Sequence, residues 1–143
     1  MITVNLTVSS VIDELDDAGL VTDSNKTDST CQAVLDTTQG GEILSYTTEE
    51  NGQKTDTEIY IFDASVRVIR RGAIESDFLF EEKKSFNSLY KIPPYAFDAE
   101  IYTKKIRKSK TDEKNEISVI YDMTVGEAKK IVRMNITDLG GSI

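Results

Sequence analysis

The sequence predicts an all-β chain, a mainly antiparallel barrel of about eight to ten strands. Three observations carry that prediction. Segments in which apolar and polar residues alternate follow one another almost without a break, and alternation is the mark of a half-buried strand. Tight-turn pairs such as Asn51-Gly52 and Gly126-Glu127 separate them, so neighbouring segments pair as hairpins. No stretch reads as a convincing helix. Successive hairpins make an up-and-down meander, and closing it into a barrel removes its exposed edges. With 143 residues, one domain spanning 1–143 is expected. A domain of this size buries roughly 70% of the surface its unfolded chain exposes, enough for a core without staples.

Residues 2–12 alternate cleanly, with Ile2, Val4, Leu6 and Val8 on one face and Thr3, Asn5, Thr7 and Ser9 on the other. Residues 13–30, "DELDDAGLVTDSNKTDST", are acidic and polar and read as a solvated loop with at most a short turn of helix. Residues 31–38 read as a strand that "QGG" interrupts, and residues 42–50 extend again. Asn51-Gly52 then turns the chain into residues 54–62, because a type I′ turn needs positive φ at both central positions. Asp63-Ala64 turns it into residues 65–71, which Gly72 ends. Residues 76–81 and 85–92 are two shorter strands. Pro93-Pro94 cannot donate backbone hydrogen bonds and belongs in a corner or at an edge. Residues 96–109 form a long strand, "TDEKNE" turns the chain, and residues 116–125 and 128–138 form a last hairpin before a "GGSI" tail.

Composition narrows the function. Cys31 is the sole cysteine, so an intramolecular disulfide framework is excluded and a cytoplasmic location is the expectation. The N-terminus alternates instead of carrying a basic region and an apolar run, so it does not read as a signal peptide. Three Asn-x-Thr sequons, at Asn5, Asn25 and Asn135, therefore read as chance. No segment approaches the ~18 apolar residues of a membrane helix, and no membrane partner is expected. A net charge of −8 repels phosphate backbones, so no nucleic-acid partner is expected. There is no histidine, which removes the usual general base and the commonest transition-metal ligand. No nucleophile–base pair, Gly-x-Ser-x-Gly elbow or EF-hand spacing can be assembled. The expectation is a non-enzymatic protein with neither cofactor nor metal.

"ILSYTTEE", "VRVIRRG", "LYKIPPYAF" and "ISVIYDMTVGEAKKIVRMNITDLGG" occur in this order over about residues 42–141. In order and spacing they resemble the YwiB-like proteins of Gram-positive bacteria, a domain of unknown function. The resemblance implies a calycin-like, lipocalin-like barrel and no function of its own. The first forty residues match only as strand, loop and strand. "QGGEI" is shorter than the family's usual second strand, leaving the pairing of residues 31–41 open. Ala96 stands where the family tends to have glycine. Calycin relatives often hold a small apolar or amphipathic ligand in the barrel, an analogy at the level of fold.

The candidate site starts from "VRVIRRG". Val66, Val68 and Arg70 share one face of a strand, so two valines direct a guanidinium inward. One reading makes Arg70 the anchor for a ligand carboxylate or phosphate, held by bidentate hydrogen bonds. The other pairs it with Glu49 or Glu50 near a barrel end, or packs it across an aromatic ring, because burying it unpaired costs several kcal/mol. Tyr46, Tyr90, Tyr121 and Met123 match family positions and are expected to face inward, lining a cavity or filling the core. The basic run "KKIRKSK", residues 104–110, carries five positive charges and reads as a solvated hairpin beyond the barrel body, with Asp122 opposite Lys104 or Lys105. The leading expectation is a binding protein for a small amphipathic anion inside the barrel. The alternative is a solid barrel that works through its surface, including as a homodimer.

Overall fold

The computed structural model describes residues 2–138, all of whose regular structure is strand. The ten strands are β1 (Ile2–Leu15), β2 (Val21–Thr38), β3 (Gly41–Glu50), β4 (Gln53–Phe62), β5 (Val66–Gly72), β6 (Ser76–Phe80), β7 (Ser85–Ile92), β8 (Tyr95–Lys110), β9 (Asn115–Val125) and β10 (Ala128–Asp138). They form one antiparallel sheet in the order β6-β5-β4-β3-β2-β1-β10-β9-β8-β7. The sheet curls until its two end strands face each other. One bridge joins them, Glu75 to Lys91, with both backbone hydrogen bonds made, at 2.9 and 2.8 Å. Phe78 of β6 stacks on Tyr90 of β7 beside it, ring centroids 6.1 Å apart. The result is a nearly closed barrel.

The core follows the alternation. Val4 and Leu6, Leu44, Ile59, Val66 and Val68, Phe80, Ile101, Val119 and Ile136 point inward from eight different strands and are almost wholly buried. Each such side chain contributes about 1.5–3 kcal/mol of transfer free energy. Asn51 (φ 54) and Gly52 (φ 79) make the turn their sequence predicts. At Gly72 (φ 134) a Cβ would sit 2.2 Å from the Lys54 carbonyl oxygen, so only glycine lets β5 leave β4 there.

Residues 13–30 are not a loop. β1 continues to Leu15, Asp16–Leu20 turns the chain, and β2 begins at Val21, giving one long hairpin. The reason lies in the acids themselves. The Asp16 carboxylate accepts the N–H groups of Ala18 and Leu20, both at 2.9 Å, and closes the turn. Asp13 accepts the Ser24 hydroxyl at 2.7 Å and the Arg133 guanidinium at 2.8 Å. The first half of β2 is held by its backbone ladder with β1 instead of by a buried face, so apolar alternation is missing from it. The second half pairs with β1 and, through Val34–Thr38, with β3, which fixes the pairing of residues 31–41.

The basic run also differs from expectation. A bulge at Lys104 shifts the β8–β9 register, so Thr103 opposes Tyr121 and Lys105 opposes Ile120. Past the bulge Ile106 packs on the core, and the Lys108 ammonium donates to the Phe62 and Asp63 carbonyls at the β4–β5 turn. The run is barrel wall, not a free tip. Lys104, the extra residue, reaches Asp122 at 3.1 Å. The tail read at residues 140–143 lies outside the described residues.

Candidate functional site

One end of the barrel carries a mouth of about 400 Å³, where β2 and β3 separate beyond their five paired residues. Three hairpin registers build its floor. Tyr46 of β3 opposes Thr57 of β4, Thr57 opposes Arg70 of β5, and Arg70 opposes Ser76 of β6. These four side chains form a row across the inner face, because Val66, Val68 and Arg70 share one parity and the two valines are buried. Arg70 points inward, as its strand predicts, and is half-buried. The mouth is otherwise rich in hydroxyls, including Ser10, Thr48 and Thr55, with Val8, Ile74 and Ile92 as apolar wall and Thr27, Asp28 and Ser29 of β2 along its rim.

Arg70 differs from its neighbours. Arg67 holds Asp77 with two hydrogen bonds of 2.8 and 2.5 Å, and Arg71 holds Glu58 at 2.6 Å. Both pairs lie on the outer face. Arg70 makes no ion pair with any carboxylate among the described residues, so the predicted pairing with Glu49 or Glu50 is absent. Glu49 is exposed opposite Lys54 on the outer face. Glu50, one residue on, has the inward parity and lines the mouth. The buried Ser76 hydroxyl beside Arg70 has no hydrogen-bond partner.

The aromatic candidates sit around and below the arginine. Tyr46 lines the mouth; burial raises its phenol, while Arg70 and a hydrogen bond with Thr57 pull it back down. Tyr121 is buried, 4.6 Å from Phe80, and is pushed up to about 12 by burial, against the lowering influence of Arg70. Tyr90 stacks on Phe78, and Met123 packs against the core. Tyr121, Tyr90 and Met123 therefore fill the barrel beneath the mouth, and Arg70 with Tyr46 marks the boundary between core and cavity. The structure adds Thr55, Thr57 and Ser76 to the residues that the sequence points to. Counting through the two tight turns that flank β4 and β5 places Thr57 beside Arg70, and that count was available in the sequence.

Residues 12–137 match a family described as a domain of unknown function (DUF1934). The chain belongs to this family. It is 33% identical over 100 residues to the uncharacterized β-barrel protein YwiB of Bacillus subtilis (strain 168), covering 69% of this chain and 70% of that protein. The crystal structure of the ywiB protein from Bacillus subtilis superposes with a TM-score of 0.81 at 28% identity, covering 98% of this chain and 92% of that one. The resemblance read from the four motifs is thus the family relationship, and the family match reaches back to residue 12.

The opposite end of this DUF1934 barrel is closed. A void of about 20 Å³ lies there, bounded by Glu42, Asn115 and Asp138. Asp138 is buried, and burial raises its carboxyl above the usual carboxylate range. Among the described residues no group of three or more acidic, histidine or cysteine ligands is placed to hold a metal ion. Burial also raises the Cys31 thiol, away from the reactive thiolate range.

Proposed function

We propose that this barrel is a non-enzymatic binding protein whose mouth takes a small amphipathic anion, with Arg70 as its polar anchor. One observation carries the reading: of three arginines on one strand, the two outward ones hold carboxylates and the inward one, on the cavity floor, holds none. A half-buried guanidinium without a carboxylate favours an anionic guest, since a bidentate carboxylate matches its fork of donors. Tyr46 and Thr57 supply hydroxyls beside it, and Ser76 adds a buried hydroxyl without a partner. Val8, Ile74 and Ile92 suit a short apolar chain. The volume is in the range of small-molecule pockets. The filled barrel beneath limits the guest to the mouth. One cysteine and no disulfide fit a cytoplasmic setting.

Arg70→Met tests this. No carboxylate is stranded by the change, so ligand-free stability should alter by less than about 1 kcal/mol. Thermal melts of the wild type with octanoate should rise in a concentration-dependent way, and those of Arg70→Met should not. Inorganic phosphate serves as the hydrophilic control. A wild-type melt indifferent to octanoate and phosphate alike, or a variant that responds equally, overturns the reading.

A further inference from the structure

β2 leaves an unpaired edge where the sheet splits. On one side it pairs with β1 from Val21 to Leu35. On the other it pairs with β3 only from Val34 to Thr38, so nothing among the described residues pairs with residues 21–33 on that side. Residues 21–30 are exposed. The span contains no proline, and its ladder with β1 is regular from Asp23 onward. Apart from the Ser24 N–H, which the Asp23 carboxylate accepts at 2.9 Å, its edge has no strand partner among the described residues, and such an edge is a template for another strand.

We propose that the partner is a second copy of this chain, its own β2 laid antiparallel along this edge about a two-fold axis through Thr27. The observations choose both partner and register. Thr27 is the midpoint of residues 21–33, so this axis overlaps the whole unpaired span of both copies. The same axis sets Lys26 of each copy directly opposite Asp28 of the other, two symmetry-related pairs of opposite charge. Moving the axis by one residue sets Lys26 against Lys26 or Asp28 against Asp28, and like charges directly opposite are destabilising. Within one chain Lys26 and Asp28 already form a long, solvent-exposed ion pair at 4.0 Å, which the two-fold exchanges for two pairs between copies. The rest of the contact, Asn25 against Ser29 and Ser24 against Thr30, is small and polar and lets two backbones approach. The interface is isologous, as a two-fold requires. It is also small, so association is weak and depends on concentration. This inference does not rest on the ligand reading of Arg70, although Thr27, Asp28 and Ser29 also line the mouth.

The test is sedimentation velocity of the full chain from about 10 μM to about 1 mM, at a salt level that screens the repulsion between two chains of net charge −8. The wild type should pass from monomer to dimer across that range. Lys26→Asp alone and Asp28→Lys alone should each weaken self-association about tenfold or more, since each sets two like-charged pairs face to face. An equimolar mixture of the two variants should associate at least as well as the wild type, because the mixed pair restores both opposite-charge contacts. A wild type that stays monomeric at the highest concentration overturns the proposal. So does a dimer that neither variant weakens, or a mixture no better than its components.

Discussion

At the scale of single residues, Arg70 and Tyr46 face inward because the buried Val68 and Leu44 lie two residues away on their strands. The same count from Tyr46 gives Thr48 and Glu50 the inner face and Glu49 the outer one, so Glu49 was misassigned against a signal that was present. The buried acid at the closed end carried no such signal, since Asp138 becomes unusual only when β9, β10 and β3 converge on it. Its consequence is a pH effect of defined sign. A carboxyl whose folded value lies above its unfolded one favours the protonated form, so the native state is penalised as pH rises through the raised value and relieved below the unfolded one. Asp138→Asn should therefore be more stable than the wild type at neutral pH, with the difference closing by about pH 4. Urea midpoints at both pH values read it out, and equal midpoints at neutral pH would contradict it.

At the scale of elements, hairpin turns were legible and the long arm was not. Asn51-Gly52 demands its conformation locally, whereas the first half of β2 has polar residues on both faces and owes its extension to β1. Asp16→Ala should lower stability by about 1–2 kcal/mol through loss of two charge-assisted bonds to the turn. It should also speed amide exchange in residues 21–30 before the rest of the molecule; protection unchanged there would mean the arm holds without its turn. Gly72→Ala should cost about 2 kcal/mol or more in a urea titration, because the new Cβ meets the Lys54 carbonyl oxygen in a backbone region that L residues avoid. The bulge explains the misread basic run. Strict alternation from the buried Thr103 would turn Lys105 and Arg107 inward, and one extra residue brings in Ile106 instead.

At the scale of the whole molecule, the class of fold was readable from period and punctuation, but the closure was not. Hairpin signals specify neighbours in the chain, so they do not announce the β1–β10 ladder, and they would give β6 and β7 a full ladder where the structure has one bridge. Among the described residues that seam has a single backbone bridge, while the ladders of β1, β9 and β10 run for ten or eleven residue pairs. Native-state hydrogen exchange should accordingly show β6 and β7 opening at lower free energy than β9 and β10. Uniform protection across all four would show that side-chain packing alone seals the seam. The sheet order has one more consequence. Apart from β6 and β7, which meet only at the seam, consecutive strands are ladder neighbours, and the first and last strands lie side by side, with Leu6 opposite Asp138. Ile2 therefore lies only about 13 Å of strand beyond that pair. A circular permutant that tethers these ends and begins at Lys83, in the β6–β7 connection, keeps every ladder and cuts only the one covalent link across the seam. Such a chain would be a barrel written in the order of its own sheet, held shut by the Glu75–Lys91 bridge and the ring pair beside it.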